Sequence, residues 1–145
     1  PSLGLVTLVP VTVAIATLTA TMRLAGIPFN ALTATILAIT IGLGVDYTVH
    51  VAHRFHDEYE ATGDVDGAVT TTLQGTGGAL TGTMSTTALG TGVLVLAITP
   101  LLGQFGLLTA VSIVLAYLAA LAVLPPALVV WVAVVDDRAD LLWVI

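Results

Sequence analysis

The sequence predicts an all-α integral membrane protein, a single domain over residues 1–145 built as a bundle of four transmembrane helices. Two observations lead to this class. Hydrophobic residues make up 57% of the chain and charged residues only 8%, whereas soluble domains average about 25% charged residues. The chain also contains four apolar segments, each long enough to cross a hydrocarbon core of about 30 Å. With so few charges, the helices must turn their apolar faces to lipid or to one another.

Short polar segments delimit the elements. We place the helices at about 3–25, 31–53, 76–99 and 105–135, and one cytoplasmic loop at about 54–70. Gly26, Pro28 and Asn30 form the turn after the first helix, and Asp64 or Asp66 is expected to cap a surface segment that bends at Gly75 before the third helix enters the membrane. Near the end of the fourth helix lie two prolines, which a membrane helix tolerates when neighbours satisfy the freed carbonyls.

The charge balance excludes some classes of protein. Nine acidic residues face three arginines, and there is no lysine, so binding to nucleic acid is not expected. This acidic balance is typical of proteins adapted to high salt, and we expect a halophilic source. The absence of cysteine excludes disulfides and thiolate chemistry. Because the chain begins at Pro1 without a charged leader, we expect it to be cut from a longer protein.

The arginines also predict an orientation. Arg54 and Arg138 fall on one side of the membrane and Arg23 on the other, which favours a cytoplasmic position for the loop at 54–70 and for both chain ends. The expected localisation is therefore the cell membrane, as a multi-pass protein.

Asp46 is the strongest candidate functional residue, because it lies inside the second predicted helix. A charged residue near the centre of a membrane helix costs about 2.5 to 3.5 kcal/mol on insertion scales. Such a carboxyl either pairs with another group or takes up a proton. At 100° per residue, Gly42, Asp46 and His50 share one stripe of the helix, so His50 is a candidate second member of a proton relay. The adjacent Tyr47 can offer its hydroxyl to a partner helix or to a water chain.

Alternatives to the relay remain open. Asp46 can be a structural carboxyl that accepts hydrogen bonds from threonines of a neighbouring helix. Asp46, His50 and His53 also have helical spacing that suits a metal ion, but one carboxylate and two imidazoles are common by chance, and we predict neither a metal nor another cofactor.

The third predicted helix is rich in small and hydroxylated residues. Gly78, Gly82 and Gly90 recur at multiples of four positions, which with Gly42 predicts close packing between helices. Thr86 and Thr87 can reach across to Asp46 and join the relay. Hydrogen bonding back to their own helix is the alternative.

Several short motifs together resemble one known superfamily. They are Gly26-Ile-Pro-Phe-Asn30, Ile41-Gly-Leu-Gly-Val-Asp-Tyr47, His53-Arg-Phe55, Thr86-Thr87, Gly103-Gln-Phe-Gly106 and Leu124-Pro-Pro-Ala-Leu128. The set resembles the resistance-nodulation-division (RND) superfamily, and within it the MMPL-type, or hydrophobe exporter, branch. The resemblance implies that these helices are part of a six-helix RND repeat. In such families a Gly-x-x-x-Asp-Tyr pattern contributes carboxylates to a proton relay. The resemblance carries this role over to Asp46 and Tyr47, with Gly42 at the matching spacing.

The function expected from the resemblance is secondary active transport, not enzymatic catalysis. The chain would be the transmembrane part of a proton-driven exporter of hydrophobic or amphiphilic molecules. Its partners would be membrane lipid, the other repeat and the extracytoplasmic domains of the parent transporter, and a homo-oligomer remains open. The same helices also resemble sterol-sensing segments, so the alternative is a lipid-sensing or sterol-sensing membrane protein, or an assembly subunit, in which Asp46 is structural.

Overall fold

The computed structural model describes residues 2–142, and their side chains from residue 3 to residue 134. The side chain of Arg138, used above for orientation, lies outside this range. The helices are α1 Ser2–Val6, α2 Leu8–Leu24, α3 Ala31–Thr62, α4 Val65–Gly92, a 3₁₀ segment Val93–Leu96, α5 Pro100–Ala122 and α6 Leu124–Leu142.

The described residues contain no strand, and they form four stretches long and apolar enough to cross a membrane. These are Leu3–Leu24, Ala31–Thr62, Val65–Leu96 and Pro100–Val134. The predicted class, an all-α membrane bundle, is therefore confirmed.

The first span is broken at Thr7 into α1 and α2, where a single helix over 3–25 was predicted. Pro10 gives the physical reason. It lies in the first turn of α2, where its missing N–H is not needed, whereas in one continuous helix its ring would clash with the carbonyl of Val6. The two helices still act as one stretch of spanning length.

The second span differs most from the prediction. Asn30 caps α3 at its start, accepting a hydrogen bond from the Thr33 N–H at 3.1 Å while the Thr33 hydroxyl accepts one from the Asn30 N–H at 2.8 Å. The helix then runs for 32 residues, which at about 1.5 Å per residue is about 48 Å, well beyond a hydrocarbon core of about 30 Å. The last turns of α3 therefore project past the hydrocarbon.

The loop predicted at 54–70 is wrong, because the structure is helical there except at Gly63 and Asp64. Two contacts between residues one helical turn apart support the extension of α3. They are the ion pair of Arg54 with Glu58 at 2.5 Å and the contact of the His56 imidazole with the Glu60 carboxylate at 3.3 Å. Phe55 is buried and stacks on the ring of Tyr59 at 6.0 Å. The charged residues therefore lie on a helical hairpin, with its turn at Gly63 in the left-handed conformation, φ 67°.

The third and fourth spans also begin earlier than predicted. Asp64 caps α4 through a hydrogen bond from the Asp66 N–H, and the helix continues without interruption through Gly75. After the 3₁₀ segment, Pro100 occupies the first turn of α5, where proline suits a helix start. The fourth span is interrupted at Val123, which places Pro125 and Pro126 in the first turn of α6, where the missing N–H of a proline is not needed.

α5 lies at the centre of the bundle and packs against α2, α3, α4 and the 3₁₀ segment. Small residues recur on its buried face, among them Gly106, Ser112, Ala116 and Ala120. Small side chains let several helices approach the same central helix. α3 buries one stripe along its length, including Ile36, Thr40, Tyr47 and Val51.

Candidate functional site

Asp46 faces away from the core of the bundle. Its side chain is 56% exposed, and its Oδ1 lies 3.4 Å from Nε2 of His50, whose side chain is 62% exposed. The two residues are one helical turn apart on α3, which places them on the same side of the helix. The structure therefore brings together the first two predicted members of the relay, at the surface of this chain.

Tyr47 points in the opposite sense, into the core. Its side chain is fully buried, and its ring meets the ring of Tyr117 on α5 edge to face, with centroids 6.4 Å apart. Its hydroxyl has no hydrogen-bond partner among the described side chains and backbone. Asp46 and Tyr47 are adjacent in sequence, but the rotation of about 100° between successive residues sends one out of the bundle and the other into it.

Thr86 and Thr87 hydrogen-bond to their own helix. The Thr86 hydroxyl donates to the carbonyls of Gly82 and Thr83, both at 3.0 Å, and the Thr87 hydroxyl donates to the carbonyl of Thr83 at 2.8 Å. Among the hydrogen bonds described for residues 3–134, none joins these threonines to Asp46. This arrangement is the back-bonding alternative given above.

The four glycines predicted to mediate packing lie on exposed positions. A Cβ built on Gly42, Gly78, Gly82 or Gly90 would meet no atom of the described chain within 4 Å. The glycines that this bundle uses for close approach are others, chiefly Gly44 against Val11 of α2, and Gly106 against the end of α4. A packing role for the four predicted glycines therefore stays a prediction about a helix outside this chain.

A groove of about 490 Å³ runs between α3 and α4 beside the Asp46–His50 pair. It is lined by His50, Arg54, Gly75, Thr76, Ala79, Leu80 and Thr83. The small residues Gly75 and Ala79 leave the space open, and the imidazole, guanidinium and hydroxyl groups make part of its wall polar. The groove leads from the neighbourhood of Asp46 towards the charged end of α3.

One interacting pair of polar residues between α4 and α5 had escaped the sequence analysis. The hydroxyl groups of Thr81 on α4 and Tyr117 on α5 lie 2.6 Å apart. The available signal was Tyr117 itself, a phenol inside a long run of aliphatic residues, since a tyrosine hydroxyl among apolar residues usually finds a partner. In the part of the chain whose side chains are described, no three metal-ligating side chains come close enough to hold an ion.

Comparison with known proteins identifies relatives of the chain. The model of the MMPL family matches residues 3–140. A protein of Methanocaldococcus jannaschii that is named only as a membrane protein is 33% identical over 130 residues, which cover 90% of this chain and 34% of the relative. The chain thus spans about a third of the length of this relative. No solved structure matches it.

The family match covers nearly the whole chain and includes α3 with Asp46, the hairpin and the central helix α5. The resemblance drawn from the short motifs is confirmed by this match. The multi-pass membrane character also follows from the match together with the four apolar spans. The chain belongs to the MMPL family, a family of membrane transporters.

Proposed function

We propose that this chain is the transmembrane part of a proton-driven RND/MMPL-type exporter of hydrophobic or amphiphilic molecules in the cell membrane, and that Asp46 carries the proton. The observation that supports this proposal is the placement of Asp46. It lies on a helix of membrane-spanning length, with its side chain 56% exposed and His50 as its neighbour at 3.4 Å.

A carboxylate left on the lipid-facing side of a membrane helix is unfavourable, so ionisable residues in such helices almost always face a bundle interior or a water-filled cavity. In this chain the bundle interior is on the other side of α3, where Tyr47 and Val51 are buried. The exposed face of Asp46 therefore fits contact with another part of the transporter. We assign that contact to the opposing repeat, as in transporters whose site lies between two repeats.

The groove between α3 and α4 suits a route for protons to Asp46. His50 lies at its edge and contacts Asp46, and an imidazole can take up and release a proton near neutral pH. In this proposal His50 passes protons between the groove and Asp46. Protonation removes the charge of Asp46 and weakens its attraction to His50, which changes how α3 packs on the opposing repeat.

The energy would come from the proton gradient. Its electrical part supplies about 2.3 kcal/mol per charge for each 100 mV. Sodium coupling is the variant to test first if the parent organism is halophilic, because an exposed carboxylate can also hold a sodium ion. Export measured with a pH gradient alone, and then with a sodium gradient alone, separates the two.

The test is substrate export by the full-length transporter in vesicles, with Asp46→Asn compared with wild type. Asparagine keeps the shape but cannot ionise, so we expect export to be lost while membrane insertion stays normal. Asp46→Glu, which can still ionise, should retain part of the activity. Asp57→Asn is the matched control, because Asp57 is exposed at the projecting end of the same helix. Unchanged export by Asp46→Asn would contradict the proposal and favour the lipid-sensing or assembly role, with Asp46 as a structural group.

A further inference from the structure

The hydrogen-bond directions at the Thr81–Tyr117 pair can be assigned from chemistry. The Thr81 hydroxyl already donates its proton to the carbonyl of Gly77 at 2.7 Å. A hydroxyl carries one donor and two acceptor lone pairs, so Thr81 has only acceptor capacity left. With the Thr81–Gly77 bond in place, Tyr117 is the donor to Thr81 across the 2.6 Å contact. The oxygen of Tyr117 keeps its own lone pairs free to accept.

Tyr47 has the complementary need. Its hydroxyl is a donor that is completely buried and has no acceptor among the described residues in this conformation. A buried polar group without a partner is costly, which makes a conformation that supplies an acceptor favourable. The ring of Tyr117 lies edge to face against that of Tyr47. The Tyr117 hydroxyl oxygen, which is free to accept, therefore belongs to a side chain that already contacts Tyr47.

Resting on the proposed function, we propose that Tyr117 is a positioning residue for the Asp46 site. In one state of the transport cycle the Tyr47 hydroxyl donates to Tyr117, which donates to Thr81, which donates to the Gly77 carbonyl. This chain of hydrogen bonds joins α3, α5 and α4. In the conformation described here its last two bonds are present and the bond from Tyr47 is open.

The position of Tyr47 links this series of hydrogen bonds to Asp46. Tyr47 follows Asp46 directly on a rigid helix, so a rotation of α3 that accompanies loss of the Asp46 charge also moves the Tyr47 hydroxyl relative to Tyr117. Formation of the hydrogen bond from Tyr47 to Tyr117 stabilises the rotated state of α3. Tyr117 thereby affects the proton-driven step without touching the proton or the substrate.

The first experiment is a double-mutant cycle on export by the full-length transporter, with Tyr47→Phe, Tyr117→Phe and the double variant. Each single change removes one hydroxyl and keeps the ring. We expect each to lower the maximal export rate about 2- to 10-fold, the size that corresponds to one neutral hydrogen bond, with the half-saturating substrate concentration unchanged. The double variant should be no slower than the slower single variant, because both changes break the same bond. Fully multiplying effects, or single variants as fast as wild type, would overturn the proposal.

Thr81 supplies a conservative rescue. Thr81→Ser keeps a hydroxyl and should export at close to the wild-type rate, whereas Thr81→Val removes the acceptor and should match Tyr117→Phe. If Thr81→Ser is as slow as Thr81→Val, the hydroxyl is not what matters and the proposal is wrong.

A second readout separates this inference from the proposed function. A double-mutant cycle with Tyr47→Phe and Tyr117→Phe is measured on the free energy of unfolding of the purified full-length protein. It is run in two backgrounds, wild type and Asp46→Asn, of which the second permanently lacks the charge. We expect coupling between the two hydroxyls in the Asp46→Asn protein and little coupling in wild type at high pH. Equal coupling in both backgrounds would overturn the positioning role even if Asp46 proves essential. Coupling only with Asp46→Asn, together with normal export by that variant, would overturn proton transport and not the tyrosine pair.

Discussion

The close approach of α5 to the end of α4 predicts a specific sensitivity at Gly106. A Cβ on Gly106 would lie 2.5 Å from the Cβ of Leu94 and 2.7 Å from the carbonyl oxygen of Thr91. Carbon atoms in contact normally sit about 3.5 to 4.0 Å apart, so Gly106→Ala must separate the two segments by about 1 Å. The obstructing atoms belong to the backbone or to its first side-chain atom, and they cannot swing away. Overpacking of this kind costs about 1 to 3 kcal/mol.

Alanine also gains about 1 kcal/mol over glycine in a helix interior, so the magnitude is best read against a control. Gly75→Ala is matched, because Gly75 lies inside α4 and a Cβ there would meet nothing within 4 Å. The helix-propensity gain is similar in the two variants and cancels between them. The difference in the free energy of unfolding between Gly106→Ala and Gly75→Ala should therefore be about 1 to 3 kcal/mol.

The assay is chemical unfolding of the purified full-length protein in mixed micelles, followed by circular dichroism. We expect Gly106→Ala to unfold at a lower denaturant concentration than Gly75→Ala. If the two variants unfold together, α5 and the 3₁₀ segment are not in the close contact described here, and the reasoning from the glycine distances is refuted.

Two further predictions concern packing and capping, both measured in the same unfolding assay. Leu18 is fully buried in the cluster with Met22, Ile36 and Leu108, so Leu18→Ala should lower the free energy of unfolding by about 2 to 5 kcal/mol. Leu24→Ala is its control, since Leu24 is 90% exposed, and a loss of similar size there would contradict the assigned core. Asn30→Ala removes the side-chain cap of α3 and should cost about 0.5 to 2 kcal/mol. Asn30→Asp keeps an acceptor and should lose little, and equal losses in the two variants would argue against the cap.

The number and approximate position of the spans were predictable from the sequence. A run of about 20 apolar residues is a local property. In lipid, a single segment of this kind can satisfy its backbone hydrogen bonds within itself only as a helix. The ends of the helices were less predictable. The loop expected at 54–70 became helical because the Arg54–Glu58 and His56–Glu60 pairs and the burial of Phe55 support α3 beyond the apolar run.

The candidate site shows the same division. Asp46 was recognisable from the sequence, because a charge inside an apolar segment needs a physical reason. Its spacing from His50 also predicted one shared stripe, and the structure places the two 3.4 Å apart. Periodicity could not tell which stripe of α3 faces the bundle, since α3 has apolar residues on every side.

By itself, then, the sequence determined the membrane class, the spans and the acid at position 46, all of which depend on the residues of one segment. Only the tertiary structure decided that Tyr47 turns inward to Tyr117 while Asp46 turns outward, and that Gly106 rather than Gly78, Gly82 or Gly90 mediates close packing within the chain. The physical reason is that the direction of a side chain relative to the core depends on which helices pack against it. Those partner helices are distant in sequence. A helix with apolar residues on every side has no sequence pattern that predicts which helices pack against it.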